Sequence, residues 1–273
     1  MREQLNILFS AIQFLTRLPV GRWITYDPGH LTKSVAYFPV VGALVGVLGA
    51  AVIAVMSLLV PPVLAVLFSM IATVVATGAI HEDGLADTID GLGGGHTRER
   101  MMEIMKDSRV GSYGVIALWF SLTLKFVLLN ELLTRDLWLA AGGLMLAHML
   151  GRSSTVVLIY RYPYVRTEPG KAPFIVDSMT TPRLFLSLSF TFLFSVLLFG
   201  WKAFFVLAVA SIATWLTGRH VNRRIGGITG DTLGAANQIV ELSVYLALLM
   251  QANYLTLVAL IWKYFSPVIL KWI

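Results

Sequence analysis

The residues best equipped for chemistry crowd into one short stretch, His81-Glu82-Asp83-Gly84-Leu85-Ala86-Asp87-Thr88-Ile89-Asp90-Gly91, which holds Glu82, Asp83, Asp87 and Asp90. On a helix turning about 100° per residue, Asp83, Asp87 and Asp90 fall within an arc of roughly 60°, with Glu82 to one side. Neighbouring carboxylates about 6 Å apart repel by roughly 3 kcal/mol at an effective dielectric of 20, so this face calls for protons or a cation. Hard divalent cations take oxygen ligands, and Mg²⁺ commonly joins one or two carboxylates to substrate phosphates. The pattern therefore points to phosphoryl chemistry. Asp107, in Lys106-Asp107-Ser108-Arg109, offers a further metal ligand, and Lys106 and Arg109 can neutralise phosphate. His81 and His96 lack partners at ligand spacing.

Two basic regions accompany the acids. Arg152, Arg161, Arg166 and Lys171 surround Tyr162-Pro163-Tyr164, with Asp177 closing the segment. Arg219, Arg223 and Arg224 precede Gly226-Gly227-Ile228-Thr229-Gly230-Asp231, where glycines permit close backbone approach and nest-like amides suit phosphate oxygens. Asp231 either caps the helix that follows or joins the metal or nucleotide site. His148 and Glu241 read as interfacial residues near opposite ends of their spans. Met101, Met102, Ile104 and Met105 lie on a short helix capped by Thr97 and read as packing contacts.

The elements that position these residues are apolar. The chain is 57% hydrophobic and 13% charged, where soluble domains carry about 25% charged residues, and its mean hydropathy is +0.76. It is an all-α integral membrane protein whose partner is the lipid bilayer. The net charge of +6 is dispersed, with no basic run interleaved with aromatics, which excludes a nucleic-acid partner. With no cysteine, thiolate metal sites and disulfides are excluded.

Apolar segments near 34–60, 63–80, 110–133, 137–160, 184–199, 201–217 and 236–272 approach the roughly 20 residues a spanning helix needs. Placing the N-terminal region, the 81–109 loop, the 152–183 region, the 218–231 loop and the C-terminus on one side collects there every Lys and Arg except Arg135, Lys202 and Lys125. That side is cytoplasmic by the positive-inside rule, and the arrangement favours eight crossings, with a turn at Gln251-Ala252-Asn253. Seven crossings, with the C-terminus outside, is the second choice. The first residues, with Leu5, Leu8, Ile12 and Leu15 at helical spacing, suit an interfacial helix rather than a short core helix. Residues 1–273 read as a single membrane domain, compatible with a homo-oligomer, with its active site facing the cytoplasm.

Six stretches together resemble the cobalamin synthase (adenosylcobinamide-GDP ribazoletransferase) family. They are Phe14-Leu15-Thr16-Arg17-Leu18-Pro19-Val20, Tyr37-Phe38-Pro39-Val40-Val41-Gly42, His81 to Gly95, Glu103 to Gly114, Tyr162-Pro163-Tyr164-Val165-Arg166, and Gly227 to Ala235. The resemblance implies an enzyme in the inner membrane of a prokaryote. Its reaction would move the cobinamide-linked phosphate of adenosylcobinamide-GDP onto a ribose hydroxyl of α-ribazole or its 5′-phosphate, releasing GMP, with Mg²⁺ as cofactor. The site expected on that basis has Asp83, Asp87, Asp107 and Glu82 as metal ligands, Asp90 as general base, and Asp87 and Lys106 beside it in the catalytic set. Substrate would contact Arg109, Arg152, Arg166, Arg219, Arg223, Gly227, Gly230 and Asp231. The competing readings are a CDP-alcohol phosphatidyltransferase-like enzyme, whose acid pattern is longer and differently spaced, a prenyltransferase, and an ion-coupled transporter, whose acids belong nearer the midplane.

Overall fold

The computed structural model describes residues 2–23, 27–165 and 178–269, with side chains through 253 apart from that of residue 28. Helices follow one another along the chain: α1 (Arg2–Leu15), α2 (Pro28–Ser34), α3 (Phe38–Met56), α4 (Pro62–Thr77), α5 (Ile80–Gly94) and α6 (Arg98–Ile104). The second half comprises α7 (Ser112–Arg135), α8 (Leu137–Arg161), α9 (Thr181–Phe199), α10 (Ala203–Ile225) and α11 (Gly230–Ile269). An isolated parallel bridge, Tyr164 to Ile228, is the only β pairing among the described residues.

Five stretches are long and apolar enough to cross a membrane: Gly29–Met56, Ser112–Arg135, Leu137–Arg161, Thr181–Ile225 and Gly230–Asn253. α4 and α5 add a sixth if they count as one span broken by an 84° bend. The protein is thus an integral membrane helix bundle. Thr181–Ile225 doubles back at Gly200, whose φ is +56°. The rings of Phe192 and Phe204 lie 5.9 Å apart, where a straight helix would separate them by about 18 Å. The turn expected at Gln251-Ala252-Asn253 is absent, because α11 runs through those residues as one helix. An apolar helix has no need to break where two amides interrupt it, and the eighth crossing loses its basis.

α8 is the axis of the bundle. It is buried along most of its length, and α3 crosses it with almost no gap: a Cβ at Gly42 or Gly46 would collide with the backbone of His148 or Met145. Small residues one turn apart let two spanning helices approach closely, which is how packing holds helices together where lipid is as apolar as the side chains. Around this contact Ile53, Val66, Leu129, Leu144, Val206 and Leu248 form the main apolar core. α1 buries Ile7, Ala11, Ile12 and Leu15, packing on Val35, Phe38, Val41 and Val156, so its apolar stripe covers the bundle.

The bend between α4 and α5 sets up the site. Gly78 and Ala79 are both left-handed, with φ of +65° and +57°, and for an alanine that conformation costs about 1–3 kcal/mol. Arg17 packs against the bend, its backbone N–H donating to the Ala76 carbonyl at 2.7 Å. The chain thereby turns away from α4, and α5 lies between α7 and α11.

Candidate active site

Along α5 burial alternates: His81 and Asp90 are buried, Glu82 and Asp87 half-buried and Asp83 exposed. The helical register expected of the acids is present, but its two ends open into different cavities. Asp83 lines a cavity of about 170 Å³ with His81, Arg152, Thr155, Gly230 and Asp231. Asp90 lines a second, of about 430 Å³, with Arg100, Glu103, Asp107, Arg109 and Gly111. Asp87 lies one turn from each acid.

Asp90 is held by the start of α7. Its Oδ2 accepts from Gly111 N–H at 2.7 Å and its Oδ1 from Gly114 N–H at 2.8 Å. A carboxylate there satisfies two otherwise orphaned amides at the positive end of a helix dipole. A Cβ on Gly111 or Gly114 would run into that carboxylate. With both oxygens engaged and only 7% of the residue exposed, Asp90 is arranged as an anchor joining α5 to α7.

Asp107 and Arg109 hold each other. Arg109 Nε and Nη2 donate to the two carboxylate oxygens at 3.0 and 2.7 Å, and the Arg109 backbone N–H adds a third bond at 3.0 Å. These hydrogen bonds bring the Asp107 pKa down to about 2. Asp107 therefore does not join Asp83 in one cavity. Lys106 is exposed on the same loop. Thr97 caps α6 through Arg100 N–H at 3.2 Å, and Met101 and Met105 are buried, as packing residues should be.

At the start of α11, Asp231 stands between two threonines that pair with each other. Thr229 and Thr232 cap the helix reciprocally: Thr229 N–H donates to Thr232 Oγ1 at 2.8 Å and Thr232 N–H to Thr229 Oγ1 at 3.3 Å. That is a capping box with threonine in place of the usual Glu or Gln. Asp231 is not the cap, and it lines the cavity of Asp83 at the positive end of α11. Gly227 packs against the chain itself, since a Cβ there would strike the Pro163 carbonyl. That close approach lets Val165 N–H reach Ile228 O and Ile228 N–H reach Pro163 O, each at 2.9 Å.

Of the basic residues, Arg152 belongs to the first cavity. Arg223 is exposed, Arg224 donates to the Leu92 carbonyl near the end of α5 at 3.0 Å, and Arg219 lines a separate groove with Arg161. Arg166, Lys171 and Asp177 lie outside the described residues.

Below the cavity is a cluster that differs from expectation. Glu241 and His148 are not interfacial; they are 0% and 4% exposed and face each other inside the bundle. Glu241 Oε2 accepts from Lys125 Nζ at 2.9 Å, and Oε1 meets Arg152 Nη1 and, at 2.9 Å, His148 Nδ1. Arg152 Nη1 also reaches Asn237 Oδ1 at 3.1 Å, and its Nη2 faces His81 Nδ1 at 3.4 Å. Lys125 donates to Gln238 Oε1 at 2.7 Å. Because an ammonium only donates, this orients the amide so that Gln238 Nε2 donates to Glu82 Oε1 at 3.1 Å. Three helices, α7, α8 and α11, are thus tied to the acid face of α5. A lone Lys125 and a lone Glu241 in apolar spans were the sequence signal for it.

Among the described residues no three Asp, Glu or His side chains come together as a metal cage. Mg²⁺ rarely requires one, because substrate phosphates and waters complete its shell around one or two carboxylates. Asp83 and Asp231 on one cavity are such a donor set, and the buried Glu82 Oε2, which accepts no hydrogen bond, lies on the adjoining face.

The cobalamin-5-phosphate synthase family profile matches residues 7–249. A protein of Shewanella amazonensis named adenosylcobinamide-GDP ribazoletransferase is 46% identical over 252 residues, covering 91% of this chain and 96% of that protein. One of the same name from Shewanella piezotolerans is 42% identical over 256 residues, with the same coverage. No solved structure matches. With the match running from α1 through the acid helix to α11, the chain belongs to the cobalamin-5-phosphate synthase family of enzymes.

Proposed function

We propose that this enzyme joins adenosylcobinamide-GDP to α-ribazole, or to α-ribazole 5′-phosphate, giving adenosylcobalamin or its 5′-phosphate and GMP. The observation that carries the reading is the meeting of Asp83, Asp231 and Arg152 on one cavity at the positive end of α11. Two carboxylates, a guanidinium and a helix N-terminus suit a substrate diphosphate. The relatives' shared name supplies the substrate class.

In the reaction a ribose hydroxyl oxygen attacks the phosphorus that carries cobinamide, and the bridging P–O bond to GMP breaks with its electron pair leaving on GMP. The hydroxyl proton passes to a carboxylate of the Asp83–Asp87 face, and Arg152 offsets charge on the diphosphate oxygens. Asp90 acts indirectly, fixing the start of α7 against α5. Asp83 and Asp231, with Glu82 and Asp87 adjoining, would hold Mg²⁺, which would supply Lewis-acid stabilisation of the phosphate oxygens. The site would face the cytoplasm of a prokaryotic inner membrane, a reading supported by the basic residues Arg98, Arg100, Lys106, Arg109 and Arg223 between the spans.

The test is GMP release by purified protein supplied with Mg²⁺, adenosylcobinamide-GDP and α-ribazole. Asp231→Asn should lower the rate at least 100-fold, of the order expected for a lost transition-state electrostatic contact. Near-wild-type release would remove Asp231 from the site, and absence of GMP with the wild-type protein would remove the reaction itself.

A further inference from the structure

α8, α9 and α10 enclose a groove of about 680 Å³ that the proposed reaction leaves unused. None of Glu82, Asp83, Asp87, Asp90, Arg152 or Asp231 lines it, although Arg152 stands on the same helix α8. Its walls are apolar, built from side chains such as Val157, Leu188, Phe192, Leu207 and Trp215. Most hydroxyls on the lining are satisfied within the protein: Ser153 Oγ and Thr191 Oγ1 pair at 2.8 Å, Thr214 Oγ1 donates to the Ala210 carbonyl at 2.7 Å, and the Tyr160 and Thr181 hydroxyls pair at 3.1 Å. Such a surface offers little to a nucleotide or a sugar and much to hydrocarbon.

One end of the groove is different. Arg161 and Arg219 stand there, each with its guanidinium 5.6 Å from an aromatic ring, Tyr162 and Trp215 respectively. Neither forms an ion pair with a described residue. Aromatic rings and arginines at a common level are the signature of the headgroup region. From Phe204 to Arg219, both on the lining, α10 rises about 22 Å, more than the roughly 15 Å from the headgroups to the middle of a 30 Å hydrocarbon core. The groove therefore has the length of one leaflet, is apolar along its walls, and carries two positive charges at the headgroup end.

We propose that this groove binds one anionic membrane phospholipid, with an acyl chain between α9 and α10 against α8 and the phosphate between Arg161 and Arg219. The lipid would complete the packing on the helix that carries Arg152 into the reaction cavity. Arg219 thereby belongs to a lipid site rather than to the substrate.

The protein purified in detergent and depleted of lipid can be titrated with phosphatidylglycerol and read by native mass spectrometry. Wild-type protein should take up one tightly held lipid, and the double variant Arg161→Gln/Arg219→Gln should bind it at least tenfold more weakly. Ala208→Trp, which fills the lining one turn beyond Phe204, should do the same, with thermal unfolding confirming that the variants are folded. Phosphatidylglycerol bearing a photoreactive group in its acyl chain should label α9 and α10 lining residues in the wild-type protein. Equal lipid binding by all three proteins, or photolabelling confined to other surfaces, would overturn the proposal. So would displacement of the lipid by adenosylcobinamide-GDP, which would make the groove part of the substrate site.

Discussion

Asp83 and Asp90 are the same residue type on the same side of α5, two helical turns apart, and their surroundings differ in every respect that matters for chemistry. Asp83 is exposed on a cavity beside Asp231 and Arg152. Asp90 is buried, with each carboxylate oxygen accepting a backbone N–H from the first turn of α7. With both oxygens taken up by amides of α7, Asp90 ties two helices together, whereas Asp83 faces the cavity. The lesson is that shared helical register shows which acids lie together, while their division of labour depends on what the neighbouring helices bring to them. The buried cluster extends the contrast: Glu241 is matched by Lys125, Arg152 and His148, leaving Arg152 Nη2 turned toward His81 and the cavity.

The largest effect on stability should follow loss of that matched charge. Glu241→Ala leaves Lys125 and Arg152 facing each other in a dry interior, and destabilisation of about 3–5 kcal/mol is expected. Denaturation in mild detergent would show this as a lowered midpoint, and an unchanged midpoint would mean that the cluster does not hold α7, α8 and α11 together. Next comes Asp90→Ala. Removing the carboxylate strands two amides in a largely buried place, at about 1–3 kcal/mol each before solvent relaxes the cost. Gly114→Ala should act in the same direction by pushing the carboxylate away from the α7 terminus, and an Asp90 variant of full stability would erase its contrast with Asp83.

The smallest effect concerns Asp107. Its folded pKa of about 2 lies below the ordinary value of 3.8, so the folded state binds this proton less tightly than the unfolded chain does. The stabilisation is therefore fully present above the ordinary value and is lost as pH falls through about 2. Arg109→Gln should move the Asp107 titration up toward 3.8, as followed by carboxyl NMR of labelled protein, with little change in the unfolding midpoint because the pair is exposed. A titration that stays near 2 would show that another group holds Asp107.

Much of this arrangement was legible in the chain. The acid register followed from helical periodicity, the Thr97 cap from its place before α6, and the helix bundle from apolar runs of spanning length. The partners of Asp90 were not legible, because Gly111 and Gly114 lie beyond an intervening helix and a loop. Glu241 and His148 read as interfacial residues because a lone charge in an apolar span signals a partner without showing which helix carries it. Asp231 could not be separated from a capping role, since the Thr229–Thr232 box lacks the Glu or Gln that usually signals one. The turn anticipated at residues 251–253 followed from length and from the side on which Lys and Arg gather, and α11 continues through it.

The central claim is tested most directly by Asp83→Asn and Asp90→Asn measured side by side for GMP release and thermal unfolding. Asp83→Asn should lower release at least 100-fold with the unfolding midpoint unchanged, whereas Asp90→Asn should lower the midpoint by several degrees, about 2–4 °C per kcal/mol lost. Near-wild-type release by Asp83→Asn, or an unaltered midpoint for Asp90→Asn, would contradict that claim.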